Sequence, residues 1–580
     1  MKKIKIFLIS TVILAGFTAC KKDFLTENPK GVLFEEQLNT PAVAEGFAIA
    51  AYSSLDGYFT GGVADPRNPR YGDWGFNAGL TNWNFSDVRS DDAYKGGGGT
   101  GDQGDIHSME IMTDIYPTNI NGSRRWKVLY AAIKRCNDAI RTMQKLTVQA
   151  YPARDTRIAE MKFLRGHFYF QLKIVFNRLP WIDESITSDE SKAVKNDLTS
   201  EALWGKIEGD FSAAKAALPV NQSEKGRASK YAASTYLAKV FLYQKKYDKA
   251  LAEANEVINS GKYALLNDYT KLWQVEFENS QESIFAIQYS IKDGSFYGNV
   301  NWANLLNVPK KPTVGTGYDG GDGFFQASQN AVNVYKTDND GHPFFDTYNS
   351  SNATDMTNVN IDVTTTTPVD PRLDHNIGRP GVMWLDMDVY NKTWVRDETT
   401  YGQYFVKKGL ISAKSPYILQ GFPWAASALN SYILRFADVL LIKAECLIES
   451  GGDLNEARNL INQIRGRAKN STYVKKKDGS GPAANYKIEP YSLLGWNQDY
   501  AKKALQFERR LEFIYEGQRF FDLVRWDIAE QAMNEYFRVE KTKRNYYVSA
   551  KFTKGIHEYM PIPQDEIDLA SGIYIQNQGY

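Results

Sequence analysis

The sequence contains little cysteine, with only Cys20, Cys136 and Cys446 among 580 residues. A chain with at most one possible disulfide outside Cys20 is not a cystine-stabilised scaffold. Cys136 and Cys446 fall within apolar patterns of helical period, and a free cysteine behaves as a small buried hydrophobe. We therefore expect both to be buried thiols.

An excess of one charge is also absent. The sequence has 69 basic and 68 acidic residues and a net charge of +1. Nucleic acid selects strongly basic protein faces. The composition therefore predicts no nucleic-acid partner.

Histidine is scarce, and the five histidines are widely separated: His107, His167, His342, His375 and His557. None has the two-histidine spacing of a zinc site. In the glycine-rich run 96–104, Asp102 stands where a phosphate-binding loop needs lysine, so we expect a flexible loop. The run 338–341 resembles the start of a calcium loop, but Asn349 occupies the twelfth position, which favours an Asx turn. We expect no metal site, no cofactor and no catalytic residues.

A long apolar run occurs once, at residues 6–17, between the lysines at 2, 3 and 5 and Cys20. A basic start, a short apolar stretch and a small-residue exit predict an export signal over 1–19. The run is too short for a membrane span of ~20 residues. A cysteine at the cleavage edge resembles the lipobox of bacterial lipoproteins, so we expect Cys20 to be acylated and 20–40 to form a tether. The alternative is an ordinary secretory signal with a chance cysteine.

Apolar residues recur with helical spacing over 124–145, 155–176 and 200–217. The run from Asn39 through Pro41 predicts a helix start, since threonine caps and proline suits the first turn. Residues 228–258 match the spacing of small and large residues in a tetratricopeptide unit, and 432–467 form a weaker unit. Such units need neighbours to bury their faces, so an array of helix pairs is expected.

Two long segments lack the helical period. Residues 57–122 are rich in glycine, asparagine and aromatic residues and predict a long ordered loop. Residues 281–429 predict a loop-rich subdomain with short strands, inserted between helical parts at 41–280 and 430–580. The fold class is therefore mainly α: a tetratricopeptide-like scaffold of helix pairs that carries this insertion.

A dense run of charged residues occupies 508–525. Glu512, Glu516 and Arg519 share one helix face by spacing, which could indicate catalytic acids. No nucleophile or metal ligand accompanies them, so we expect Arg–carboxylate pairs that fix the C-terminal helices. Arg435 and Asp438 receive the same interpretation.

Several motifs in a fixed order resemble the SusD/RagB family of cell-surface nutrient-binding lipoproteins. They are Cys-Lys-Lys-Asp-Phe-Leu from Cys20, the stretch 160–172, Asn-Arg-Leu-Pro at 177–180, Asp-Pro-Arg-Leu at 370–373, the stretches 434–445, 508–513 and 516–526, and Pro-Ile-Pro at 561–563. The resemblance covers essentially the whole chain. It implies a helical tetratricopeptide-like scaffold with a loop-rich insertion. It also implies an outer-membrane position, facing the cell surface, over a TonB-dependent, SusC-like transporter.

Loop aromatics supply the candidate ligand site. A sugar ring presents an apolar C–H face and a rim of hydroxyls, so its binder needs flat aromatic side chains beside polar ones. The candidates are Tyr71, Asp73, Trp74, Asn77, Asn82 and Trp83 in the first loop segment, and Trp302, Tyr318, Trp384 and Trp394 in the insertion. For any single one, a buried structural role is an equal alternative.

We therefore expect a non-catalytic surface receptor that captures oligosaccharides and passes them to the transporter. The same architecture presenting a peptide or another nutrient is the second hypothesis. An anchored glycosidase is the third, because the separation of a catalytic acid pair is a spatial property that a sequence does not fix.

Overall fold

The structure is a computed structural model that describes residues 39–56, 82–294, 299–309, 318, 320–349, 363–420 and 425–580. The export signal, Cys20 and most of the tether lie outside the described residues, as do Tyr71, Asp73, Trp74 and Asn77. Within the described ranges, no helix combines the length and apolar content needed to cross a bilayer.

Helices make up most of the described chain. In the N-terminal half they are α1 (Pro41–Tyr52), α2 (Gly104–Ile111), α3 (Ile120–Gln144), α4 (Arg154–Phe176), α5 (Ser200–Ala217), α6 (Lys230–Tyr243) and α7 (Tyr247–Asn259). The insertion adds the short helices α8 (Gln329–Asn333), α9 (Arg372–Asn376) and α10 (Glu398–Tyr401). The C-terminal part contains α11 (Phe436–Glu449), α12 (Leu454–Asn470), α13 (Gln498–Phe513), α14 (Arg519–Arg525), α15 (Ala529–Glu540) and α16 (Gln564–Leu569).

The strands are short and pair antiparallel in twos. They are β1 (Ala93–Gly96), β2 (Ser283–Ile287), β3 (Phe324–Ala327), β4 (Ile377–Gly378), β5 (Met383–Trp384), β6 (Asp388–Val389), β7 (Phe405–Val406) and β8 (Ser431–Arg435). The pairs are β1 with β3, β2 with β8, β4 with β7 and β5 with β6.

The long helices stack in one array. Each of α3 to α7 packs on the next, α7 packs on α11, and α11 to α13 continue the series. Between α7 and α11 the chain leaves to build the insertion, and β2 pairs with β8 where it departs and returns. The expected fold class, a mainly helical scaffold of helix pairs with a loop-rich insertion, is confirmed.

Capping residues explain where the helices begin. Thr40 accepts a hydrogen bond from the amide of Val43 and Pro41 follows in the first turn, as predicted. Thr199 caps α5 in the same way, and the predicted range 200–217 is confirmed. Helix α3 begins at 120 rather than 124, because the Asn119 side chain caps it by accepting from the backbone amides of Asn121 and Gly122.

The prediction of a loop over 57–122 is wrong for its described part. Residues 82–122 contain a π-helical turn at Trp83–Asp87, strand β1, helix α2 and the start of α3. Strand β1 pairs with β3, more than 200 positions later, so local periodicity could not reveal it.

The glycine-rich run forms a hydrogen-bonded loop around the Lys95 side chain. The Lys95 ammonium donates to the carbonyls of Gly96, Gly99 and Asp102, at 2.8, 2.9 and 2.5 Å. The loop is thus closed around a buried cation.

The charged C-terminal run confirms the structural interpretation. Glu512 accepts from Arg372, Arg435 and Arg467, and all four side chains are buried. Further buried pairs join Arg465 to Glu508, Arg509 to Asp438 and Asp522, Arg510 to Asp91 and Asp92, and Arg525 to Glu445. These pairs tie α11, α12 and α13 to the insertion and to residues 91–92.

Two smaller predictions are confirmed. Cys136 and Cys446 are buried free thiols. Asp338 forms the expected Asx turn, since its Oδ1 accepts from the amides of Asp340 and His342 at 2.9 and 2.8 Å.

Candidate functional site

A cavity of about 150 Å³ lies where α4 and α6 meet the insertion and the segment 515–521. Aromatic side chains form much of its wall: Trp83, Tyr236, Tyr243, Trp273, Tyr432 and Tyr515. Carboxamides fill the gaps between them: Asn82, Gln171, Asn301, Asn304, Asn307 and Asn430. A concave apolar surface with a few convergent polar groups is the usual form of a small-ligand site.

Asn82 opens the π-helical turn and joins it to α4. Its backbone is left-handed, with φ 59° and ψ 15°, a conformation that asparagine tolerates better than most residues. Its Nδ2 donates to Gln171 Oε1 at 2.8 Å, and Arg125 donates to its Oδ1. The next residue, Trp83, lies against Phe325 with ring centroids 5.1 Å apart.

The insertion supplies a wall of asparagines. Asn301 Oδ1 caps the turn Trp302–Leu305 by accepting from the Ala303 amide, and Asn304 Nδ2 donates to the Gly409 carbonyl at 3.1 Å. Within the described part of the chain, the amide oxygens of Asn304 and Asn307 are buried without a hydrogen-bond partner. A buried amide oxygen without a donor costs free energy, which a ligand hydroxyl would recover.

Lys408 and Glu516 form the charged end of the cavity, 2.7 Å apart. Lys408 also donates to the carbonyls of Glu512 and Ile514. Burial alone would raise the pKa of Glu516, but Arg435 and Lys408 outweigh burial and lower it. Glu516 is therefore held as a carboxylate with its charge compensated.

His167 and Gln171 project from the same face of α4, one turn apart. Burial, together with the nearby cations Arg125 and Lys239, lowers the pKa of His167 to about 3, so the imidazole is neutral. Its Nδ1 shares a hydrogen bond with the Tyr236 hydroxyl on α6.

The structure separates the residues that sequence analysis grouped. Asn82 and Trp83 lie at the cavity. Trp384, Trp394 and Tyr318 instead belong to a core cluster of the insertion, where they are 0%, 6% and 3% exposed. Other aromatic rings and aliphatic side chains cover them, which is a different role from the expected ligand contact. Trp302 lies on the turn beside Asn301, and its side chain is outside the described residues.

Sequence reasoning missed His167, Gln171, Tyr236, Trp273 and Lys408. His167, Gln171 and Tyr236 lie on the buried helices α4 and α6, where a polar or aromatic residue is counted as core. No local signal distinguishes His167 and Gln171 on α4, because that helix also buries Glu160, Arg165 and Lys173.

Other concave surfaces differ in chemistry. One of about 460 Å³ shares Trp273 and Gly409 with the first cavity. Its rim carries Asp386 and Lys414, both more than half exposed and 3.8 Å apart. Among the described residues, no group of three or more His, Cys, Asp or Glu side chains is arranged to hold a metal ion.

The sequence matches two family models and several known relatives. A family model described as the SusD family matches residues 281–580, and one described as starch-binding, associating with the outer membrane, matches 100–242. SusD-like protein P2 of Formosa agariphila is 26% identical over 590 residues, which cover 100% of both chains. A SusD-like protein of Bacteroides ovatus is 23% identical over 555 residues, 90% of this chain and 82% of that one.

Solved structures give the same result. A laminarin-binding SusD-like protein superposes with a TM-score of 0.65 at 24% identity and covers 93% of this chain and 100% of its own. Surface glycan-binding protein A of Bacteroides thetaiotaomicron, in complex with laminarihexaose, has a TM-score of 0.64 at 23% identity, with 93% and 99% covered. At these identities the likeness establishes the fold. The chain belongs to the SusD family.

Proposed function

We propose that this protein is a surface lipoprotein that captures oligosaccharides at the cavity and delivers them to a SusC-like, TonB-dependent transporter, without cleaving them. The observation that carries the proposal is the lining of the cavity. It combines half-buried Trp273 and Tyr432 with carboxamides, and the buried oxygens of Asn304 and Asn307 lack a donor among the described residues. Aromatic faces suit the C–H face of a sugar ring, and carboxamides suit its hydroxyls.

The lining gives little support to hydrolysis. Glycoside cleavage uses a pair of carboxyl groups, one of which must hold a proton. Among the described residues that line the cavity, Glu516 is the one carboxylate, and its pKa is lowered. The described lining therefore offers no second carboxyl group, and Glu516 has no proton to donate at neutral pH.

The relatives support capture and membrane association. Structures of similar fold are named for binding laminarin or surface glycans, and one matching family model is described as associating with the outer membrane. An acylated Cys20 would supply the anchor. Several acyl chains are needed for stable attachment, since a single chain gives only marginal binding.

Titration calorimetry against a panel of neutral and acidic oligosaccharides tests the proposal. Trp273→Ala should weaken the binding of a ligand by about tenfold or more, which corresponds to ~1.4 kcal/mol. Trp496→Ala is the matched control, because Trp496 is another half-buried indole that packs on Tyr491 and Tyr500, away from the cavity. Equal losses in both variants would argue against a ligand at Trp273.

The alternatives have their own outcomes. Capture of peptides from a protease digest, with no oligosaccharide bound, would favour the peptide-binding hypothesis. Release of reducing ends from any bound oligosaccharide would overturn the non-catalytic assignment. Co-purification with the transporter from detergent-solubilised outer membranes tests the partner.

A further inference from the structure

Arg125 on α3 is a buried cation without a carboxylate partner among the described residues. It is 5% exposed, and within the described part of the chain its guanidinium donates only to the amide oxygens of Asn82 and Gln171; it lies 5.4 Å from the centroid of the Phe85 ring. Burial lowers the pKa of Arg125 to about 9, so the group remains charged at neutral pH. A buried charge without a counter-ion is costly unless something else compensates it.

The other charges around the cavity are paired. Lys239 lies 2.8 Å from Asp438, and Lys408 lies 2.7 Å from Glu516. Of the described charges around the cavity, that of Arg125 is the uncompensated one, and Arg125 lies behind Asn82 and Gln171. Both of those side chains line the cavity.

The same arginine sets the direction of a chain of hydrogen bonds. Arg125 and Asn82 both donate to Gln171 Oε1, so the Gln171 amide nitrogen is the group that faces the Tyr236 hydroxyl. Among the described residues, His167 Nδ1 is the one acceptor within hydrogen-bond distance of the Tyr236 hydroxyl, so the hydroxyl that accepts from Gln171 donates its own proton there.

This direction fixes the tautomer of His167. A neutral imidazole that accepts at Nδ1 carries its proton on Nε2. His167 is 1% exposed, and its Nε2 has no hydrogen-bond partner among the described residues. The α4 wall of the cavity thus holds an unused N–H donor close to an uncompensated positive charge.

The wall formed by the insertion has the reverse polarity, since the groups of Asn304 and Asn307 that lack a partner among the described residues are acceptor oxygens. We propose that the cavity selects a sugar residue with an anionic substituent, a carboxylate or a sulfate ester, directed at the His167 wall, with its hydroxyls directed at the asparagine wall. This inference rests on the proposed function and narrows its ligand class. A cavity of about 150 Å³ admits one ring, so the rest of the oligosaccharide must lie outside.

The test compares three oligomers of equal length and linkage: a hexuronate oligomer, its carboxyl-reduced neutral counterpart, and that neutral oligomer carrying sulfate esters. At low salt the full-length protein should bind at least one anionic oligomer about tenfold tighter than the neutral one, and the preference should shrink as salt rises. Tight binding of the hexuronate alone identifies the carboxylate, and tight binding of the sulfated oligomer alone identifies the ester.

Asn82→Asp places a carboxylate beside Arg125 with nearly the same shape, and aspartate also tolerates the left-handed backbone. The anionic-to-neutral affinity ratio should fall to about twofold or less. Asn459→Asp adds the same charge on the exposed side of α12 and should keep the wild-type ratio.

If Asn82→Asp fails to fold, the wild-type protein still decides. Nitrogen-15 NMR of labelled histidine should show His167 protonated on Nε2, with a resonance that shifts on adding the anionic oligomer and not the neutral one. Equal affinity for neutral and anionic oligomers, or an Nδ1-protonated His167, would overturn the inference and leave glycan capture intact. If no oligosaccharide binds, both proposals fall.

Discussion

Arg435 Nη1 on β8 lies 2.6 Å from Glu512 Oε1 on α13, and this contact joins the return strand of the insertion to the helical array. Glu512 also accepts from Arg372 and Arg467, and the three guanidinium groups outweigh burial and hold its pKa far below the usual range. The carboxylate thus serves as the shared counter-ion of three buried cations.

Glu512→Gln removes that counter-ion and leaves three buried arginines short of negative charge. We expect a loss of ~3–5 kcal/mol in the free energy of unfolding, measured by urea denaturation. Glu535→Gln is the matched control, because Glu535 pairs with Arg538 on an exposed helix face and should cost no more than ~0.5 kcal/mol. A loss below ~1 kcal/mol at Glu512 would contradict the counter-ion role.

The Glu278 carboxyl group is a titratable group bound to Asn430, a residue of the cavity lining. Its Oε1 accepts from the backbone amide of Asn430 at 2.6 Å, and burial raises its pKa from 4.5 to about 7. The folded state therefore binds more protons than the unfolded state between pH 4.5 and 7. The stabilisation is complete below pH 4.5 and is lost as the pH rises through 7.

Glu278→Gln should remove this loss, so that Tm at pH 8 rises by about 1–2 °C relative to wild type while Tm at pH 4.5 does not. Differential scanning calorimetry from pH 4.5 to 8 measures the effect. Asp189→Asn, which changes an almost fully exposed carboxylate far along the chain, should leave the wild-type pH dependence in place. Parallel Tm profiles of wild type and Glu278→Gln would refute the link.

Lys95→Met deprives three carbonyls of their shared donor. Removing one partner of a buried polar group costs ~1–3 kcal/mol, so the loop 96–102 should open more often. We expect hydrogen exchange of its amides to accelerate about tenfold or more, measured by mass spectrometry. Lys134→Met, on an exposed face of α3, should leave this exchange unchanged, and slow exchange in both variants would count against the Lys95 arrangement.

Thr199→Ala should lower the free energy of unfolding by ~1 kcal/mol, because the first turn of α5 loses its cap. Thr199→Ser keeps the capping oxygen and should recover most of the loss in thermal or urea unfolding. Equal stability of the alanine and serine variants would show that the cap contributes nothing here.

Cys20→Ala should move the protein from the membrane fraction to the aqueous one without changing its fold, as judged by circular dichroism. Cell fractionation followed by immunoblotting measures this. Cys446→Ala alters a buried thiol and should remain in the membrane fraction. Membrane retention of Cys20→Ala would rule out lipid anchoring through this residue.

Much of the scaffold could be predicted from sequence because its causes are local. Helix α5 begins and ends where Thr199 and the apolar spacing place it. Strand β1 could not be predicted, because its partner β3 is distant in sequence and the two become neighbours only in the folded chain.

The candidate site divides in the same way. Asn82 and Trp83 were predicted from their aromatic and polar loop context. His167 and Gln171 were not, since α4 is buried over most of its length and nothing local shows which of its faces meets a cavity. Trp384 shows the converse, since an aromatic residue in a loop-rich segment can be the core of that segment.

The pairing of β2 with β8 has an evolutionary consequence. Ser283 faces Arg435 and Ile287 faces Ser431, so the two ends of an excursion of well over 100 residues meet at one point on the helical array. Insertions and deletions between them do not change the stacking of α7 on α11. A lineage can therefore exchange this whole segment, and with it the part of the cavity lining that the segment supplies, while inheriting the framework unaltered.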